Sequence, residues 1–458
     1  MLRLSEPELR QPMIPPRFQR AAGLTTSERL LAEIADRSFL KLWTYPNPFK
    51  EVNRELADLI VVFGDDVLLF SDKAGAYPDS GDPTLDWTRY FRGAITESAA
   101  QLRTAENWIR RHPDRVFLDV RCTERLPVAL PPAARMNIHR ICVAPAATEA
   151  ARSRAGLDGL AIDPGVAGDQ RAYTVGQVHG CQGWVHVFDE DTMRVVMPAL
   201  STTPDFVAYL RAKEALIAAG GLAFAASEKD LLAVYLLNER AFPEALWPLT
   251  APAGTWGELA NHPQFRAAQA LNRRAAFWDR LIEKITGAAV ARELVAGNDI
   301  ELPDIEKILR IMASEDRFDR RILSETILER ATRARNVQGR LSSLIQSQAT
   351  ADVIYVLLVA DHHAERESYE AYRETRRMEL YLRCKAAVIA RPDAGRFVGL
   401  GLDTPNGRGS SEDFIYLDAA DLTPEERDEA SVMRQEMGYF IEGRAELNQI
   451  VGDEYPDV

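Results

Sequence analysis

Two unbroken apolar runs, Leu59–Phe63 and Val67–Phe70, are separated only by Gly64, Asp65 and Asp66. No other stretch constrains the fold as strongly. A strand with one wet face alternates apolar and polar residues, so a run that is apolar at every position needs cover on both sides. The short turn, with its glycine and two aspartates, suits an antiparallel hairpin. A central sheet is expected to start here, with the hairpin buried on both faces.

The flanking sequence supplies helices and further strands. Thr25 followed by Glu28 makes a capping box ahead of Leu30, Leu31 and Ile34, whose spacing sets one apolar stripe on a helix ending near Phe39. An earlier strand is expected at Leu40–Thr44. Ile95, Leu102 and Ile109 mark the apolar side of an amphipathic stretch over Trp87–Arg111. Val116–Val120 and His139–Ala144 read as strands, as do Val175–Val178 and Trp184–Phe188. Thr202, Thr203 and Pro204 announce a helix that Gly220 and Gly221 end. Residues 226–390 are mostly helical by periodicity, with one buried strand at Val353–Ala360. Phe414–Leu417 reads as a strand, and Thr423, Pro424 and Glu426 place a cap, an N1 proline and a capping-box acid at the head of a final helix.

The expected fold class is α/β. A mixed sheet flanked by helices fills residues 25–150, an α+β segment follows over 151–225, and a mainly helical α+β body with an acidic tail occupies 226–458. Residues 1–24, rich in proline and without apolar periodicity, read as an extended arm.

Composition narrows the function classes. The chain has 458 residues, 46% of them hydrophobic and 27% charged, which excludes collagen-like, wholly disordered and disulfide-scaffold proteins. The longest apolar stretch, Val353–Ala360, falls short of the roughly 20 residues that a spanning helix needs. With no basic start and apolar segment of a secretory signal, a cytoplasmic protein is expected. Cys122, Cys142, Cys181 and Cys384 form no C-x-x-C pair and read as reduced structural cysteines. The net charge of −13 is unevenly placed: residues 403–458 hold fifteen acids and four arginines. Residues 101–154 hold ten arginines against five acids, and 317–340 seven against three. An acidic total therefore does not exclude a nucleic-acid ligand, because such binding depends on local basic surface.

The chain contains no G-x-x-x-x-G-K-[ST], G-x-S-x-G, H-E-x-x-H or G-x-G-x-x-G. One constellation remains. Asp58 enters the first hairpin strand; Phe70, Ser71, Asp72 and Lys73 leave the second; and Glu28 lies on the helix before them. This region, about residues 25–145, resembles the PD-(D/E)xK nuclease superfamily, especially its NERD-like and RecB-like branches. In those branches a leading helix precedes a hairpin that ends in acid-x-Lys. The resemblance implies a restriction-endonuclease-like sheet, with Asp58 as the first metal-binding acid, Lys73 as the motif lysine, Glu28 as the helix acid and Gln101 as a helical glutamine. It also implies Mg²⁺ or Mn²⁺, a nucleic-acid substrate with DNA foremost, and service in bacterial repair or antiphage defence.

The residue types suit that chemistry. Phosphodiester hydrolysis needs a divalent cation to polarise the phosphate, an attacking water and stabilisation of the added charge. Carboxylate oxygens are hard donors suited to Mg²⁺. Ser71 and Lys73, two apart on one strand, share a face that Asp58 on the partner strand can meet. The chain departs from the family at Ser71, where an acid is expected. Either the metal set is rebuilt with Asp72, Glu55 or Glu28, or the fold persists without catalysis as an adaptor or scaffold. In either case the remainder would bind substrate, a protein partner or a second copy of the chain.

Competing sites are weaker. Asp361, His362 and His363 follow a buried strand, but adjacent histidines point apart; an unrelated hydrolase centred on Asp361 and His362 is the third reading. His179 and His186 flank Cys181 and Gly183 without spacing typical of zinc sites. The arginines of 317–340 are expected to solvate a helix face, and Trp87, Trp108, Trp256 and Trp278 to serve the core or an interface.

Overall fold

Leu59 stands opposite Phe70 and Phe63 opposite Asp66, so the two apolar runs form the expected antiparallel hairpin. The structure is a computed structural model that describes residues 17–21, 23, 26–73, 75–244, 246–293, 300–337, 340–362, 367–404, 412–441 and 454–455. They divide into two compact units, Met1–Leu259 with Ile282–Arg310, and Ala260–Leu281 with Ile311–Val458. The chain is mixed α/β throughout.

The first unit opens with α1 (Thr26–Phe39), β1 (Thr44–Pro46), β2 (Phe49–Glu51), β3 (Arg54–Glu55), β4 (Leu59–Phe63) and β5 (Asp66–Asp72). After α2 (Pro83–Tyr90) a π-helical turn at Phe91–Thr96 leads directly into α3 (Glu97–Arg111). There follow β6 (Asn137–Val143), α4 (Ala147–Ala155), β7 (Ala161–Ala167), β8 (Thr174–Gln177), β9 (His186–Phe188), α5 (Glu190–Ala199) and α6 (Thr203–Ala218). β10 (Leu222–Ala225), α7 (Glu228–Leu237), β11 (Leu249–Ala251) and α8 (Thr255–Asn261) complete the run, with Ala260 and Asn261 of α8 assigned to the second unit.

The main sheet has the order β1-β4-β5-β6-β9. β1, β4 and β5 are successively antiparallel, whereas β6 and β9 run parallel to β5. Alternation along β5 sends neighbours to opposite faces. Phe70 meets Phe39 of α1, which packs on Phe206 of α6 and through it on Phe188 of β9. Ser71 turns the other way, onto Gln101 of α3. Two helical layers thus cover the sheet, as the two-sided apolar runs demand. A second sheet, β11-β10-β7-β8, lies in the same unit. The expected segments 25–150 and 151–225 both fall inside this unit, and β9 of the main sheet comes from the second of them.

Two local expectations change, and a third, the capping box at Thr25, falls outside the described residues. The carboxylate of Glu28 accepts from Asn47 Nδ2. Leu40 takes a positive φ of 65° and starts a single 3₁₀ turn, which delays the first strand to Thr44. Val116–Val120 is no strand; only Phe117 makes bridges, to Phe49 and Arg125. There the Asp119 carboxylate takes the backbone N–H groups of Arg121, Thr123 and Glu124, and so diverts them from a ladder. The described end of the N-terminal arm is also docked: Phe18 packs on Tyr45, and Arg20 pairs with Asp36 and donates to the Thr44 carbonyl.

The second unit carries α9 (Pro263–Arg274); α10 (Phe277–Ala291) and α11 (Leu302–Ala313) are each divided between the units. It continues with α12 (Arg317–Val337), β12 (Arg340–Gln346), β13 (Val353–Ala360), α13 (Tyr369–Ala390), β14 (Arg396–Asp403), β15 (Glu412–Asp418) and α14 (Pro424–Met437). β12-β13-β14-β15 form a four-stranded sheet where only β13 and a strand near Phe414 were expected. Two features hide β14 and β12: Gly399 and Gly401 break the apolar run of the first, and Ser342 with Ser343 that of the second. The glycines are there for α13. A Cβ at Gly399 would lie 2.6 Å from Cys384 Sγ, and one at Gly401 3.3 Å from Leu380 Cδ2. The cap at Thr423 forms as read, with Glu426 closing the capping box. β15 and α14 both belong to the acidic segment.

Candidate functional site

The hairpin brings the sequence-predicted residues to the carboxyl end of β5. The β4–β5 ladder ends at Leu59 and Phe70, so Asp58 and Ser71 are the next cross-strand pair, on the face covered by α3. Asp58 Oδ2 accepts from the Asp72 backbone N–H at 2.5 Å. Ser71 Oγ donates to Gln101 Oε1 at 3.2 Å. Asn47, absent from the sequence-derived set, ties the margin together: its N–H donates to the Asp58 carbonyl and its Nδ2 to Glu28 Oε2. Asp72 enters the site through its main chain; by strand alternation its side chain falls opposite to that of Ser71.

Electrostatics join Glu55 to the group. Burial pushes the Glu55 carboxyl up, the negative fields of Asp58 and Glu28 push it further, and Lys73 pulls it back. Asp58 is also held above the ordinary carboxylate range by burial, against the Asp72 N–H and Lys73, with Glu28 adding repulsion. Three carboxylates and one lysine thus feel one another at the mouth of the hairpin. The donors are all oxygen, which suits Mg²⁺ or Mn²⁺. Their ligand atoms do not form a tight trio: among the described residues, the one set of three mutually within 4.8 Å is His139, His186 and Glu214. A spread set still fits a Mg²⁺ ion that keeps several waters and takes one or two carboxylates. Asp58, Glu55 and Glu28 are the carboxylates here that could contribute to such an ion.

The competing sites resolve differently. Asp361 accepts from Thr404 Oγ1 at 2.5 Å, whereas His362 contacts the Glu367 carbonyl and stacks near Tyr369 and Tyr372. His363 lies outside the described residues. The arginines of α12 do not simply solvate a helix face: Arg317, Arg320, Arg321 and Arg330 are buried, and Asp279 pairs with the first two. Several arginines of the 101–154 stretch are likewise engaged, Arg140 with Glu106, Arg152 with Asp158 and Arg154 with Asp86. Trp87 and Trp278 are core residues, and all four cysteines are free thiols. No described helix is long and apolar enough to cross a membrane.

His186 reaches a possible metal group with partners other than His179. Ile141 of β6 pairs with His186 of β9, so His139, two residues before Ile141, sends its ring to the same face. Glu214 of α6 lies between them, its Oε1 2.9 Å from His139 Nδ1 and 2.9 Å from His186 Nε2. Burial alone would raise the Glu214 carboxyl, but the two imidazole contacts outweigh it and bring it to about 2. Burial lowers His186 to about 4. His139 and Glu214 carry no local sequence signal, because their meeting depends on a strand pairing and a helix crossing remote in the chain.

No family model, no curated protein and no solved structure matches this chain.

Proposed function

We propose that about residues 25–145 form a metal-dependent nuclease domain of PD-(D/E)xK type that hydrolyses phosphodiester bonds, with DNA as the first substrate to try. The observation that carries the reading is the cross-strand pair Asp58 and Ser71, with Gln101 bonded to Ser71, and Lys73, Glu28 and Glu55 within electrostatic reach. The element order adds support: a leading helix precedes an antiparallel hairpin, although three short strands stand between them, and the helix that carries Gln101 follows. A bound divalent ion would polarise the phosphate and supply positive charge. Asp58 with Glu55 or Glu28 would hold it. Lys73 would orient the attacking water and stabilise developing negative charge, and Gln101 would fix the Ser71 hydroxyl.

One observation favours a second reading. Ser71 stands where the motif has an acid, and the carboxylates here are not gathered into a tight trio. An adaptor that keeps the fold without cleavage is the alternative. The test incubates the full chain with supercoiled plasmid, linear duplex, single-stranded DNA and RNA, each with Mg²⁺, Mn²⁺ or EDTA. Metal-dependent cleavage is expected in the wild type, with a loss of about 10²-fold or more in Asp58→Ala and in Lys73→Ala. Cleavage that survives both substitutions places the activity elsewhere, and no cleavage with any substrate favours the adaptor.

A further inference from the structure

We propose that His139, His186 and Glu214 form a binding site for a transition-metal ion of the zinc class, open on one side to the cleft beside α6. It goes beyond the nuclease reading and does not rest on it. The site lies on the α6 face of the main sheet, whereas Asp58 and Ser71 occupy the α3 face.

Three independent elements converge on it. β6 and β9, held in parallel register, fix both imidazoles, and α6 lays Glu214 across them. All three ligand atoms lie within 4.8 Å of one another, the requirement for sharing one ion. Two imidazoles and one carboxylate are the donor set of a zinc site that keeps a fourth position for water or substrate. Imidazole nitrogen selects zinc, copper, iron or nickel over magnesium. The set therefore has a different preference from the oxygen donors around Asp58.

The surroundings match such a site. His139 Nε2, the nitrogen that faces away from Glu214, stands 3.6 Å from Asp66 Oδ1, and Asp66 is in turn paired with Arg211. At that separation the nitrogen has no hydrogen bond, and a small closure onto Asp66 would give a ligating histidine the outer carboxylate that fixes its free nitrogen. His186 is wholly buried, and its Nδ1 has no hydrogen-bond partner, so the fold keeps an imidazole there without satisfying both nitrogens. Glu214 alone of the three reaches solvent, with 30% of its side chain exposed. It lines a cleft of about 710 Å³ together with Ile138, Arg140, Gln177, His179 and Trp184. Glu214 is the member of the trio that lines this space, so an exchangeable fourth ligand would reach the ion past its carboxylate.

The test strips the full chain with a chelator and titrates it with Zn²⁺ and with Co²⁺. One ion per chain is expected, with the visible absorption of low-coordinate Co²⁺, and with no displacement by excess Mg²⁺. His139→Gln, His186→Gln and Glu214→Gln should each abolish stoichiometric binding, while Asp66→Asn weakens it by about tenfold or more. Asp58→Ala should leave it unchanged, which separates this site from the proposed nuclease centre. If a histidine variant fails to fold, ring-nitrogen NMR of the wild type reads the same question: added Zn²⁺ should shift two imidazoles together. No binding by the folded wild type, or equal binding by the three variants, overturns the proposal and leaves the trio as a hydrogen-bonded bridge.

Discussion

The site residues divide by how far their partners lie along the chain. Asp58, Ser71 and Lys73 were legible because a two-strand hairpin with a short turn fixes its own register. Glu28 and Gln101 were legible only through the resemblance, and the structure gives each a definite partner, Asn47 and Ser71. Asn47 could not be foreseen, since its position depends on a positive φ after β1. The raised carboxyls give a pH test. Glu55 and Asp58 hold their protons to higher pH than ordinary carboxylates, and metal binding requires them ionised. Cleavage should therefore be full above their raised pKa values and fall as pH drops through them, at a pH above the usual range of about 3.9–4.3. Glu28→Gln removes the repulsive neighbour that raises Asp58 and should move the acid limb set by Asp58 downward. A pH–rate profile checks this, and an unmoved limb would show that the two carboxyls do not interact.

At the scale of elements, strong local signals survived and glycines misled. The hairpin, α6 with its Thr202 cap and α14 with its capping box are read from a few adjacent residues each. β14 was missed because Gly399 and Gly401 resemble loop punctuation, when they serve the close approach of α13. Gly399→Val should destabilise the second unit by about 1–3 kcal/mol through overpacking. Cys384→Ala removes the sulfur that the new side chain would meet, so the double variant should recover part of the loss. Thermal melts of the four proteins of this cycle decide it, and purely additive effects would place the clash elsewhere. Val116–Val120 failed in the opposite sense: its apolar residues suit a strand, but Asp119 gathers the N–H groups of Arg121, Thr123 and Glu124 and curls the chain into a turn before a ladder can extend.

For the whole molecule, charge per segment was a weaker guide than charge per contact. Arginine clusters that looked like basic surface are spent in part on internal pairs, among them buried Arg317 and Arg320 with half-buried Asp279. The acidic C-terminal segment is built into a sheet and a helix, so deleting it would remove β15 and its pairing with β14. The better test neutralises exposed acids of α14, as Asp428→Asn, Glu429→Gln and Glu436→Gln together. Nucleic-acid affinity of the full chain should rise at fixed salt, as read by fluorescence anisotropy; an unchanged affinity would mean that this helix stands outside the field felt by the ligand. The main sheet carries a last consequence. Because Phe70 and Ser71 are neighbours that serve opposite layers, one added residue at Gly64 would turn a phenyl ring toward Gln101 and a hydroxyl toward Phe39, and would swing Asp66 away from His139. Substitutions can tune either face alone, but a slip of this strand would retune both at once, the proposed nuclease centre directly and the proposed histidine site through Asp66.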